Sequence, residues 1–165
     1  MTDDSAPQTP QTPQAPSRPR TPPRWFVRSF WVGHRAVYRL SGGRVGLRRV
    51  RPGGWGMLRL QTLGRKSGEV RSAILGYLED GTDIILLATN GMDERPPAWW
   101  LNLQTTPDAI VDLPDGPRDV RAREAVGDER ERLWALWASL GGGLEEDAAA
   151  LHREIPVIVL EPRPG

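Results

Sequence analysis

One short stretch gathers most of the chemistry this chain can offer: Thr62-Leu63-Gly64-Arg65-Lys66-Ser67-Gly68. Thr, Arg, Lys and Ser all supply hydrogen-bond donors, and two of them are cations. Gly64 and Gly68 carry no side chain to keep a ligand away from the backbone. Such a set suits a phosphate or a carboxylate. Lys66 is the single lysine among 165 residues, against 21 arginines. An ammonium on a flexible stem meets an anion as a point charge, where a guanidinium meets it as a planar fork. Arg71, just past the loop, can add such a fork to the same anion. The stretch is not a nucleotide-triphosphate loop, because that motif needs Gly six positions before the Lys and again directly before it, where Leu60 and Arg65 stand. No G-x-G-x-x-G opens a helix after a strand either. On these residues alone, an anion site and a plain basic hairpin turn both stay open.

A second group follows: Ala88-Thr89-Asn90-Gly91, then Pro97-Ala98-Trp99-Trp100-Leu101-Asn102. A Gly-bearing loop at the end of a strand presents backbone N–H groups. An aromatic pair beside an amide can pack on a planar heterocycle and hydrogen-bond it. The competing reading puts Trp99 and Trp100 in the core and Asn102 at a helix end.

Composition narrows the field. There is no Cys, so disulfides, thiolate catalysis and cysteine metal sites are excluded. His34 and His152 are the only histidines and lie far apart, which argues against zinc. No apolar run approaches the ~18 residues of a membrane span. The start carries Asp3 and Asp4 and lacks an apolar core, unlike a signal peptide, so a cytoplasmic location is the default. The net charge of +1 conceals an asymmetry: residues 1–71 sum to +11 and residues 72–165 to −10. A basic half attracts anionic partners, whether a phosphorylated cofactor, a lipid surface or nucleic acid. Nucleic acid is the least expected, because the Arg run at 44–51 has little aromatic interleaving.

The elements that must position these groups can be read from pattern. Pro recurs every third residue from Pro7 to Pro22, a polyproline-type tail over 1–23. Residues 24–40 show a helical stripe of Phe26, Phe30, Val37 and Leu40, with Arg24, Arg28, Arg35 and Arg39 on one face. Such a helix can lie on an anionic membrane or cover the core. Strands are expected at Met57–Thr62, Val70–Glu79 and Asp83–Thr89, with tight turns that imply antiparallel hairpins. A loop over Asn90–Pro97 leads to a short helix through about Gln104. Strands at Ala109–Leu113 and Asp119–Val126 flank the turn Pro114-Asp115-Gly116-Pro117. Asp128 can cap a helix with Leu133, Trp134, Leu136, Trp137 and Leu140 on its apolar side. Gly141-Gly142-Gly143 breaks it, residues 144–152 look helical, and Ile155–Leu160 is the last strand. About six mostly antiparallel strands lose their edges most economically by closing into a small barrel, which makes the fold class α+β.

In order along the chain, Thr62-x-Gly64-Arg65-Lys66-Ser67-Gly68, the Ala88–Gly91 loop, Pro97-x-Trp99-x-x-Asn102-Leu103 and Arg153-x-Ile155-Pro156-Val157 resemble the deazaflavin-dependent nitroreductase and quinone reductase family. These are split β-barrel reductases that use coenzyme F420. The resemblance covers roughly residues 24–162 as one domain after the tail. It implies that Arg65, Lys66, Ser67 and Arg71, helped by Thr62, Gly68 and backbone amides, hold the cofactor's phosphate and tail carboxylates. It implies that Ala88, Thr89, Asn90 and Gly91 lie along the deazaflavin ring and that Pro97, Trp99 and Asn102 wall the same pocket. The partner it implies is a small-molecule electron acceptor, a quinone or an activated nitro compound, that takes hydride from the reduced ring.

One departure from the family stands out. Members that reduce quinones and nitro compounds tend to carry tyrosines before the Arg-x-Ile-Pro strand. Here the segment reads Leu144-Glu145-Glu146-Asp147-Ala148-Ala149-Ala150-Leu151-His152. Leu144 and Asp147 take the tyrosine positions, and His152 is the one side chain there that can donate a proton near neutral pH. An alternative reading is therefore a non-catalytic barrel that binds a lipid, haem or flavin. FMN is a less favoured ligand whose phosphate would also want Arg and Lys.

Overall fold

The computed structural model describes residues 46–163. The expected tail at 1–23 and helix at 24–40 lie outside the described residues. Six strands form the body: β1 Gly56–Leu63, β2 Val70–Asp80, β3 Asp83–Leu87, β4 Asp108–Leu113, β5 Gly116–Glu124 and β6 Val157–Pro162. Among the described residues three helices accompany them: α1 Ala98–Leu103, α2 Gly127–Ala138 and α3 Leu144–Ala149. The strands close into an antiparallel barrel in the order β1-β2-β3-β6-β5-β4, as the sequence pattern leads one to expect.

Alternation decides what each strand buries. In β1, Leu58, Leu60 and Thr62 point inward and are buried, while Met57, Arg59, Gln61 and Leu63 face out. The barrel interior is filled by Leu58, Leu60, Tyr77, Leu86, Val111 and Leu160. A second core lies between the barrel wall and α2, built from Leu78, Ile85, Leu133, Val157 and Val159. Ion pairs fasten α2 over this core: Arg132 binds Asp80 at 2.6 Å, and Arg123 reaches both Glu129 and Glu161 at 2.6 Å.

Several boundaries differ from the sequence pattern, each for a local reason. β3 stops at Leu87, two residues early, because the next residues turn into the left-handed loop described below. β5 begins at Gly116, so Pro117 is inside the strand and only Pro114-Asp115 turns. Pro117 faces Asp112 one pair beyond the hairpin's closing pair. Pairs alternate between bonded and non-bonded, so the missing Pro N–H leaves no gap there. β6 begins at Val157, not Ile155, since Pro156 has no N–H for a ladder. α1 starts at Ala98, with Pro97 as its N-cap. α2 is preceded by Val126, and Asp128 sits within the first turn without a side-chain cap bond. There its charge still suits the positive end of the helix. Leu136 is 37 % exposed and so is not on the buried side of α2. Gly141, Gly142 and Gly143 all take positive φ, which ends α2, and α3 covers only Leu144–Ala149.

Candidate functional site

The antiparallel order sends β1 and β3 in the same direction, so the loops that follow them open at one end of the barrel. The first is Gly64–Glu69. It is closed by Gly64 N–H to Glu69 O at 2.8 Å and by Gly68 N–H to Gly64 O at 2.8 Å. Gly68 has φ +67°, a conformation that L side chains resist. Gly64 is crowded instead: a Cβ there would lie 2.9 Å from Ser67 Oγ and 3.0 Å from Glu69 O. The loop is wound so tightly around Gly64 that its tip residues are thrust outward.

At that tip Arg65 and Lys66 are exposed and make no ion pair among the described residues. The Lys66 and Ser67 N–H groups likewise have no acceptor among those residues. Two cations and two backbone donors therefore face solvent together, as an anion site requires. Arg71 is placed differently. Its Nη2 donates to Ser67 Oγ at 3.2 Å and to Glu69 Oε2 at 2.7 Å. An incoming anion has to displace Glu69 to use it, which is inexpensive for an exposed pair. Glu69 escaped the reading of the sequence, although its place two residues before Arg71, on the same side of the hairpin, was the available signal.

Asn102 ties this loop to α1. Its Oδ1 accepts the Arg65 N–H at 3.2 Å, and its Nδ2 donates to Thr62 Oγ1 at 3.1 Å. Among the described residues Thr62 and Asn102 are the buried polar side chains, 2 % and 5 % exposed, and each satisfies the other. Asn102 neither caps α1, whose C-cap is Gln104, nor stays free for a ligand with the Arg65 and Thr62 bonds in place. Trp99 and Trp100 are 8 % and 6 % exposed and pack into the barrel core. They form the floor behind the loops, with little open ring surface. Pro97 is buried beside them.

The second loop follows β3. Ala88 is buried, and its N–H continues the β3–β6 pairing to Pro156 O at 3.0 Å. Then Asn90, Gly91 and Met92 adopt φ of 53°, 64° and 60° in succession. The N–H groups of Thr89, Asn90 and Gly91 have no acceptor among the described residues. Asn90 is turned back, its Nδ2 donating to Arg95 O at 2.9 Å.

His152 hangs beside this loop, its side chain 93 % exposed. Its backbone N–H and its Nδ1 both meet the Glu94 carboxylate, at 3.1 and 3.0 Å. These bonds, the one at the ring first, hold the Glu94 carboxyl below its usual range. α3 is exposed along most of its length and contributes no phenol. Among the described residues the lone tyrosine is Tyr77, paired with Gly56 at the far end of the barrel. There it borders a recess of about 480 Å³ with Arg49, Glu79, Asp115 and Arg118. Burial, and then the charge of Glu79, push the Tyr77 phenol above its usual 10.0. No group of three or more His, Asp or Glu among the described residues is placed to hold a metal.

Residues 31–162 match the family model described as F420H(2)-dependent quinone reductase. An F420H(2)-dependent quinone reductase of Mycobacterium tuberculosis is 33 % identical over 149 residues, spanning 85 % of this chain and 97 % of its own length. Among solved structures, an F420-H2 dependent reductase, FDR-A, superposes with a TM-score of 0.58. It is 31 % identical and covers 64 % of this chain and 93 % of that one. A further chain, described as a domain-swapped dimer, gives a TM-score of 0.60 at 28 % identity, over 81 % of this chain and 99 % of its own.

Proposed function

The chain belongs to the F420H(2)-dependent quinone reductase family, and from that membership we propose that it reduces a quinone, or another activated unsaturated acceptor such as a nitro compound, with reduced coenzyme F420. The observation that carries this reading is the Gly64–Glu69 loop. It offers Arg65 and Lys66 and the Lys66 and Ser67 N–H groups, all without partners among the described residues, at the barrel end where the 88–97 loop also opens. That donor set fits a ligand with a phosphate and several carboxylates, and a neutral lipid would leave it unmatched.

Arg65, Lys66 and Ser67 hold the phosphate and the tail carboxylates, and Arg71 joins them when Glu69 gives way. The free N–H groups of Thr89, Asn90 and Gly91 serve the polar edge of the ring, over a floor of Pro97, Trp99 and Trp100. Asn102 and Thr62 keep the anion loop and α1 in register. When bound, the reduced coenzyme supplies the hydride, and the protein supplies position and electrostatics. Leu144 and Asp147 take the positions that the resemblance gives to tyrosines, so the proton that completes reduction comes from solvent or from His152, whose Nε2 the Glu94 contact at Nδ1 leaves open. This lack of a phenol favours acceptors whose reduced form is readily protonated by water, quinones first among them.

Titration with oxidised coenzyme F420, followed by its fluorescence, tests the reading. Saturable binding below roughly tens of micromolar is expected, and absence of binding in that range refutes it. Reduced coenzyme with a soluble quinone then tests turnover, and a yellow purified protein would point to FMN instead. No helix among the described residues is long and apolar enough to cross a membrane. A cytoplasmic location, with peripheral contact of segment 24–40 at the inner face of the membrane, belongs to the same proposal. Flotation with anionic vesicles checks it.

A further inference from the structure

Arg153 stands three residues before Pro156, at the point where the β3–β6 ladder gives out. β3 pairs with β6 from Ile84 and Leu160 to Leu87 and Val157, and Ala88 N–H still reaches Pro156 O. Beyond that, Pro156 offers no N–H and the two strands part. The Arg153 side chain spans the space the ladder leaves. Its Nη2 donates to Thr89 O at 2.8 Å, its Nε to Asp93 O at 3.0 Å and its Nη1 to Glu154 O at 3.2 Å. One guanidinium thus grips both ends of the loop whose middle is the left-handed run Asn90-Gly91-Met92.

That run needs an external hold. Glycine enters the left-handed region freely and Asn tolerates it, but a Met is disfavoured there. Within the loop, Met92 N–H bonds Thr89 O at 3.0 Å and Asp93 N–H bonds Asn90 O at 3.3 Å. Thr89 O is also the atom that Arg153 binds, so the two donors converge on one carbonyl and fix its direction. The carbonyl directions set where the neighbouring N–H groups point.

We propose that Arg153 is a positioning residue: its guanidinium locks the Thr89–Asp93 loop in its left-handed form and so keeps the Thr89, Asn90 and Gly91 N–H groups presented to the ring of the bound coenzyme. The part about the ring rests on the function proposed above, whereas the lock itself is a property of the unliganded chain. A guanidinium is required because its fork reaches two carbonyls at once, where an ammonium is a single point of charge. His152, bound to Glu94 by its backbone N–H, holds the outer flank of the same loop.

Hydrogen exchange in the coenzyme-free protein tests the lock. In Arg153→Met the amides of Met92 and Asp93 should exchange at least about tenfold faster, with the β1–β2 amides unchanged. Arg153→Lys should fall between Met and the natural residue. Turnover with the natural protein as reference should then show kcat reduced roughly tenfold in Arg153→Met, while Lys66→Ala acts on coenzyme affinity without touching exchange at Met92 and Asp93. Unchanged exchange in Arg153→Met, or equal acceleration in every strand, overturns the proposal. Failure of the natural protein to bind coenzyme F420 overturns the functional reading, yet leaves the exchange result to judge the lock by itself.

Discussion

The Asn102 amide donates to the Thr62 hydroxyl at 3.1 Å across a separation of 40 residues, deep enough that neither side chain meets water freely. The other end of the same amide accepts the backbone N–H of Arg65. Replacing Asn102 with Ala strands a buried hydroxyl and unfastens the anion loop. Stability should fall by about 2 kcal/mol, the usual cost of a buried polar group left without its partner. Coenzyme affinity should fall as well, by a factor larger than lost stability alone explains. Denaturant unfolding and fluorescence titration of the same variant separate the two.

Lys66 shows the opposite pattern, since it is exposed and bonded to nothing among the described residues. Lys66→Ala should leave the unfolding free energy within about 0.5 kcal/mol of the natural chain, as surface substitutions generally do. Its effect belongs in binding. Loss of one charge-assisted contact should raise the coenzyme Kd about tenfold or more. The salt dependence of binding should also flatten, because the removed interaction is one that salt screens.

Gly64 and Gly68 bracket one loop but answer to different constraints. Gly68→Ala meets no atom within 4 Å and pays only for its φ of +67°, a cost of about 1–2 kcal/mol. Gly64→Ala places a Cβ 2.9 Å from Ser67 Oγ and 3.0 Å from Glu69 O. Ser67 can swing away, but the backbone carbonyl is fixed by its bond from Gly64 itself. Gly64→Ala should therefore damage coenzyme binding more than Gly68→Ala does, even at equal melting temperature.

Acid should loosen α2 before it opens the barrel. The hydrogen bond from Arg132 holds the Asp80 carboxyl below its usual range, and that from Arg123 does the same for Glu129. A carboxyl whose pKa is lower folded than unfolded binds fewer protons in the native state, so its stabilisation is complete above the ordinary carboxylate range. It fades as pH falls from about 5 toward 3. The pairs are largely exposed, so each contributes at most about 1 kcal/mol. Thermal unfolding should be flat from pH 6 to 8 by this contribution and decline below about 5. In Asp80→Asn the decline should be shallower, and the difference from the natural chain should vanish near pH 3.

The barrel was legible because its signals are local. The weak alternation in Met57–Thr62 and the short turns at Asp80–Asp83 and Leu113–Gly116 leave little freedom but antiparallel pairing. The tight Gly64–Glu69 loop and its contiguous donors were legible for the same reason. What escaped the sequence were relations across distance. Nothing near Asn102 announces Thr62, and nothing near Arg153 announces Thr89. The Trp99-Trp100 pair carried one signal with two meanings, since a platform for a ring and a plug for a core look alike in sequence. Arg71 was read as a waiting cation because its engagement by Glu69 depends on hairpin geometry.

β1 pairs with β2 along its whole length from Gly56 to Leu63, yet it meets β4 only over Arg59–Gln61. At that short seam Asp112 accepts from both Arg59 and Gln61. The cylinder is thus a belt with two narrow buckles, this one and the equally short β2–β3 pairing over Leu78–Asp80, and the hairpin bearing the Gly64–Glu69 loop is the strap between them. A ligand seated on the loop is expected to steady the strap, the β1–β4 buckle included. Occupancy should consequently be readable far from the loop, as slower amide exchange along the buckle itself.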